Sequence, residues 1–200
     1  MRFVLASASP ARLATLRSAG LDPEVVVSGV DESQVTTSDP GALAAELATL
    51  KARAVAGLAP ATLVVGCDSV LALDGSVHGK PADADEARDR WRAMRGRSGV
   101  LHTGHCVIAP DGRELVRAAA TTVHFADLSD DEIEAYVATG EPLQVAGAFT
   151  VDGLGGAFVR GIEGDHHNVV GISLPVLREM LAAVDVAWPS LWCRHTEAGA

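Results

Sequence analysis

Basic residues are scarce in this chain. Its 16 Lys and Arg stand against 26 Asp and Glu, for a formal net charge of −10 and an isoelectric point near 5.0. A balance of that sign excludes the broad basic face that tracks a nucleic-acid backbone, so any phosphate bound here must meet a local cluster of cations. Long apolar runs are also missing. No stretch approaches the ~18 residues of a membrane helix, and Phe3 to Ala6 is too short for the apolar part of a signal peptide before Ser7-Ala8-Ser9-Pro10 interrupts it. No membrane partner is expected. Cysteine is limited to Cys67, Cys106 and Cys193, with no Cys-x-x-Cys pair. The first two lie inside apolar runs and read as buried thiols, and a reduced cytoplasm is the expected compartment. The glycine cluster Gly153-Leu154-Gly155-Gly156 matches neither a Walker loop nor the dinucleotide fingerprint. There is no internal repeat.

What is present suffices for a sizeable core: 200 residues, 48% of them hydrophobic and 21% charged. One domain over residues 1–186 is expected, with a tail over 187–200 that loses periodicity and is partly disordered in its last half-dozen positions. Arg2 to Ala6 reads as a short buried strand, followed by a helix with Ser9 as N-cap, Pro10 at its first position and Gly20 as its stop. Glu24 to Ser28 reads as a strand. Asp39-Pro40 opens a second helix whose core-facing stripe is Leu43, Leu47, Leu50 and Ala54, with Lys51 beside it. Leu63 to Asp68 is a buried strand, and Asp74-Gly75 turns into another that ends at Gly79-Lys80-Pro81. Asp83 with Glu86 starts a third helix, and Ser129 with Glu132 forms a capping box for a fourth. Between these, Gly99 to Ala109 and Glu114 to Phe125 are long strands joined at Pro110-Asp111-Gly112. The glycine-rich region from Val145 to Gly171 reads as strand and loop, and Leu174 to Val184 as the last helix. Helices interleave with strands and the hairpins preclude a purely parallel sheet, so the fold class is α/β with a mixed central sheet and flanking helices.

Several segments could carry chemistry. Ser7-Ala8-Ser9-Pro10-Ala11-Arg12 places two hydroxyls and free backbone N–H groups at a helix start directly after a strand, an arrangement suited to an anion, with Arg12 one turn inside. The same letters also describe a plain Ser-Pro cap with a surface arginine. Asp68, ending an apolar run, must be paired, metal-bound or at a strand's C-terminal edge facing a cleft, or else it caps the following turn. Lys80, held between Gly79 and Pro81, suits a phosphate contact and equally a solvated turn. Asp31-Glu32 could offer a carboxylate to magnesium, which prefers hard oxygen ligands shared with substrate phosphates. In Glu163-Gly164-Asp165-His166-His167, neighbouring histidines on a strand point to opposite faces and do not readily ligate one ion.

Taken in order, Ser7-Ala8-Ser9-Pro10-Ala11-Arg12, Val30-Asp31-Glu32, Lys51-Ala52, Gly66-Cys67-Asp68-Ser69, Gly79-Lys80-Pro81, Thr103-Gly104, Ala146-Gly147 and Glu163-Gly164-Asp165 through Asn168-Val169-Val170-Gly171 resemble the Maf family of nucleotide pyrophosphatases, and its actinobacterial branch in particular. The resemblance implies an inosine-triphosphatase-like fold with two lobes around a nucleotide cleft, commonly dimeric. It also implies a hydrolase acting on an acid anhydride, which splits a nucleoside triphosphate into the monophosphate and pyrophosphate and so clears non-standard nucleotides. By that resemblance Asp68 is the proton acceptor and a metal ligand, Glu32 helps hold the ion, and Arg12, Lys51 and Lys80 with Ser7 and Ser9 meet the phosphates. The cofactor implied is a divalent cation, Mg2+ first and Mn2+ second. Three positions depart from the family pattern and bear on base selection: Ala11 in place of an arginine, Ser69 in place of a threonine and Asp152 in place of a glutamine. Broad base specificity is expected, with an acceptor-only Asp152 favouring bases that present amino donors. The family's name comes from halted septum formation, so a nucleotide-binding regulator without turnover is the rival reading. A sugar-nucleotide transferase is another, distinguished by use of a sugar phosphate as co-substrate.

Overall fold

One mixed sheet organises the computed structural model, which describes residues 1–193. Its strands are β1 (Phe3–Ala6), β2 (Glu24–Val25), β3 (Leu63–Leu73), β4 (Ser76–His78), β5 (Ser98–Ile108), β6 (Glu114–Phe125) and β7 (Val159–Glu163). They lie in the order β2-β1-β3-β5-β6-β7, with β4 paired to β3. β1 runs parallel to β2 and β3, and the remaining pairs are antiparallel. Six α-helices among the described residues flank the sheet: α1 (Pro10–Ser18), α2 (Pro40–Ala56), α3 (Ala84–Met94), α4 (Asp130–Ala138), α5 (His166–Val170) and α6 (Leu174–Ala183). The expected α/β class with a mixed sheet is what forms.

Helix starts follow their local signals. Ser9 Oγ accepts from Arg12 N–H, Asp39 Oδ1 from Ala42 N–H and Asp83 Oδ1 from Glu86 N–H. The Ser129–Glu132 capping box closes in both directions. Four expectations need correction. The second strand stops at Val25, where it is an exposed edge. β3 does not end at Asp68 but continues to Leu73, because its partner β5 pairs with it from Val64 to Ala72. The buried face of α2 is Ala44, Leu47, Ala48, Ala52 and Val55, whereas Leu43 and Leu50 are only half-buried. The reason lies in the sheet: α2 rests on bare glycine backbone, where a Cβ at Gly66 would meet Ala48 O at 2.4 Å and one at Gly104 would meet Ala44 O at 2.1 Å. Only alanines permit that approach. Finally, His166 and His167 open α5 rather than lying on a strand, with Asp165 as N-cap.

Hydrophobic packing is divided along the long strands. One core gathers Leu5, Leu16, Leu63, Val65, Val107, Leu177 and Leu181 around α1 and α6. A second gathers Leu71, Leu73, Trp91, Phe125, Ile133 and Tyr136 around α3 and α4. Asp68 to Val70 falls between them on β3. Residues 187–193 are joined to the first core, with Trp188 and Leu191 packed on it and Cys193 N–H bonded to Gly20 O at 2.8 Å. The expected disorder at the chain's end lies outside the described residues. Among those residues no helix is long and apolar enough to cross a membrane.

Candidate active site

The seam between the two cores is also a gap in the sheet. β1 pairs with β3 only over Leu63–Gly66, and β4 only over Leu71–Leu73. Between them, Cys67 to Val70 have no strand partner on that edge among the described residues, while β5 continues along the other. The loop from Ser7 into α1 leaves the end of β1 at one lip, and Gly79-Lys80 leaves the end of β4 at the other. Asp68 thus sits in mid-strand, yet just past the C-terminal end of the parallel β1–β3 pair, where α/β sheets place ligands.

Side chains alternate across a strand, so Asp68 shares the α2 face with Gly66, and Ser69 faces the opposite side. On the α2 face, Lys51 falls in the sheet-facing row Ala44, Ala48, Lys51, Val55. Its ammonium lies 2.5 Å from Asp68 Oδ1 and 2.8 Å from Glu32 Oε1. The Lys51 and Asp68 side chains are 13% and 12% exposed, and Glu32 is 53% exposed. One ammonium and two carboxylates leave the cluster with an uncompensated negative charge.

On the opposite face Arg12 is held on three sides. Its Nε donates to Gly171 O at 2.7 Å, Nη1 to Ser7 Oγ at 3.1 Å and Nη2 to Ser69 Oγ at 3.0 Å. A guanidinium carries five N–H groups, so two are unused among the described residues. Ser7 Oγ also accepts from Ser9 N–H, which fills both its lone pairs and leaves its hydroxyl proton free. The surface-arginine reading of the first motif therefore fails, and Ser9 is a helix cap within a larger anchored loop.

The structure brings Glu32, Lys51 and Asp68 into one cluster and Ser7, Arg12 and Ser69 into another. Among the described residues no hydrogen bond or ion pair joins Lys80 or Asp152 to either. Lys80 is exposed, but its neighbour Gly79 is tied down, its carbonyl accepting from Gly147 N–H at 3.0 Å and from the buried Arg90. Asp152 lines a hollow of about 300 Å3 with Ala14, Thr15, Ser18, His166 and His167. Ala11 lies on the same side of α1 as Ala14, Thr15 and Ser18 by helical spacing. A separate hollow of about 350 Å3, lined by Val35, Leu50, Arg53 and Val116, contains none of the candidate residues.

Several supporting groups have no role assigned by the sequence, although Thr103 lies in one of the family segments. Thr103 and His105 on β5 are fully buried on the Arg12 side. His105 Nε2 accepts from Ser173 N–H at 2.8 Å, and burial, aided by the charge of Arg12, pushes its imidazole down to about 4. Glu141 receives Tyr136 Oη–H, Thr150 Oγ1–H and the N–H groups of Leu154 and Gly155. Burial alone would raise Glu141, but those donors hold it below its ordinary value. The signal available for Thr103 and His105 was a polar residue inside an apolar strand; none marked Glu141.

The chain matches the family model described as Maf-like protein over residues 2–184. A nucleoside triphosphate pyrophosphatase of Salinispora tropica is 59% identical over 202 residues, covering 98% of this chain and 89% of that protein. One of Streptomyces coelicolor is 58% identical over 194 residues, covering 96% and 94%. Among solved structures, a nucleoside-triphosphatase (dITP/XTP pyrophosphatase) from Mycobacterium abscessus aligns at 20% identity with a TM-score of 0.41, over 64% of this chain and 76% of that one.

Proposed function

The chain belongs to the Maf-like family, and on that premise we propose that it hydrolyses a nucleoside triphosphate between its α- and β-phosphates, releasing the monophosphate and pyrophosphate. The observation that carries this reading is the gap beside Cys67–Val70, which has a carboxylate cluster on one face and a guanidinium with two unused N–H groups on the other. A triphosphate lying across the gap meets Arg12, the free hydroxyl of Ser7 and the N–H groups at the α1 start, with Ser9 shaping that loop. Lys80, at the far lip, and Lys51, inside the site, are the chain's only two lysines, and they add charge that offsets what develops on the leaving pyrophosphate. Lys51 takes Asp68 Oδ1, so Oδ2 is the atom that accepts a proton from the attacking water.

A divalent cation fits the acidic side of this gap. Asp68 and Glu32 are hard oxygen donors converging on one ammonium with an excess negative charge, and magnesium commonly takes one or two carboxylates together with phosphate oxygens. Those two residues would hold it, and Mn2+ suits the same donors. When bound, the ion supplies neutralisation of phosphate charge. The base is assigned to the hollow that Asp152 lines near Ala11, with Ser69 nearer the phosphates, and amino-bearing bases suit the Asp152 acceptor. A cytoplasmic setting is supported by the cysteine usage, the absence of nucleic-acid contact by the net charge of −10, and a homodimer by the family resemblance alone. Product analysis of the purified protein with Mg2+ and a panel of standard and modified triphosphates tests the reading. Monophosphate plus pyrophosphate supports it; diphosphate plus phosphate refutes α–β cleavage, and tight binding without turnover returns the regulatory alternative.

A further inference from the structure

We propose that Thr103 is a positioning residue for Arg12, acting through Ser69, and thereby sets phosphate affinity in the reaction proposed above. Thr103 Oγ1 lies 3.0 Å from Asn168 O and 2.9 Å from Ser69 Oγ, which in turn lies 3.0 Å from Arg12 Nη2. A carbonyl only accepts, so the single Thr103 hydroxyl proton goes to Asn168 O. Thr103 therefore accepts from Ser69, and Ser69, its own proton committed, presents only a lone pair to Arg12. Every bond has one direction: Arg12 to Ser69 to Thr103 to Asn168 O. Chains ordered in this way polarise one another.

Thr103 is fully buried on β5, one strand away from the gap, so it orients rather than touches a substrate. Both ends of the arrangement rest on the α5 segment. Asn168 O ends the chain, and Gly171 O holds Arg12 Nε. That segment is seated on the sheet by Asn168 Nδ2, which donates to Leu101 O at 3.2 Å and Thr121 Oγ1 at 3.0 Å. With Gly171 O, Ser7 and Ser69 each fixing one N–H, the plane of the guanidinium is set and its two remaining N–H groups are aimed. Loss of the Thr103 hydroxyl releases the Ser69 proton, which can then turn toward Arg12 and oppose the N–H it formerly accepted.

The test is calorimetric titration with a non-hydrolysable triphosphate whose α–β bridging oxygen is replaced by methylene, in wild type, Thr103→Val, Thr103→Ser and Ser69→Ala, each alone and with Arg12→Ala. Thr103→Val and Ser69→Ala are expected to weaken binding about tenfold, the range of one hydrogen bond to a charged group. Thr103→Ser restores affinity to within about twofold, and neither Thr103→Val nor Ser69→Ala adds any loss in the Arg12→Ala background. Where turnover is measured, KM rises while kcat changes little, as for an interaction made in ground and transition state alike. Equal losses with and without Arg12, or a serine variant no better than valine, overturn the proposal. Should Thr103→Val fail to fold, Ser69→Ala decides it by the Arg12 criterion and Thr103→Ser by its own affinity: retention within about twofold of wild type supports the proposal, and a loss as large as that of Ser69→Ala overturns it. Wild-type turnover is scored separately and bears only on the reaction.

Discussion

Replacing Lys51 by Met removes the cation between Asp68 and Glu32 while keeping the length of the aliphatic stem. The two carboxylates left behind are not equivalent. Glu32 is 53% exposed and can turn into water, so its lost contact matters little. Asp68 is 12% exposed and fixed on a central strand, so its charge is stranded. Breaking a buried pair from one side costs roughly 3–5 kcal/mol, and the residual exposure of Asp68 places this case at about 3 kcal/mol. For a chain of this size that corresponds to a melting-temperature drop of about 6–12 °C. Thermal and urea unfolding of Lys51→Met, Asp68→Asn and the double variant measure it. The double variant is expected to recover most of the loss, because a neutral amide beside a thioether leaves no isolated charge. Lys51→Met within about 1 kcal/mol of wild type, or a double variant that sums the two single losses, would show that Asp68 is not stranded by loss of the ammonium.

Two further perturbations follow from the packing. Gly104→Ala puts a Cβ into Ala44 O, so α2 must lift; a loss of about 2 kcal/mol from overpacking is expected, with turnover reduced because Lys51 moves from Asp68. Wild-type turnover in that variant would detach the α2 seat from the site. His105 titrates near 4 in the fold against an ordinary 6.5, so the unfolded chain takes up the proton first and stability is full above pH 6.5 and falls as the pH drops toward 4. About 3 kcal/mol is at stake over that window. His105→Gln, which offers Ser173 an acceptor where Nε2 stood, should flatten this part of the urea-midpoint profile, and an unchanged slope would remove His105 from the account.

What the sequence made legible was local. The caps at Ser9, Asp39, Asp83 and Ser129 each satisfy a backbone N–H within three residues, so the chemistry is complete in the pattern itself. On α2 the leucines mark an apolar face, whereas the face that packs is selected by Gly66 and Gly104, neither of them on α2. β3 looked finished at Asp68 because a carboxylate interrupted the apolar run, and its neutralising partner was 17 positions upstream. The glycines on either side of α5 mask a five-residue helix, although Asp165 caps it. In the site, the residue types were visible and the order of the motifs pointed to a family. The division of labour across the sheet was not, because Arg12 reaches Ser69 and Gly171 over separations of 57 and 159 residues.

If Asp68 accepts the proton from water as a triphosphate is split at its α–β bond, the chemical step depends on its carboxylate. That dependence is tested most directly by single-turnover measurements on wild type and Asp68→Asn with Mg2+, products being separated by chromatography and nucleotide affinity measured alongside. Monophosphate and pyrophosphate are expected from the wild type, with a loss of at least about 100-fold in the variant's chemical step and affinity retained. Near-normal turnover in Asp68→Asn, or diphosphate and phosphate from the wild type, would contradict that assignment.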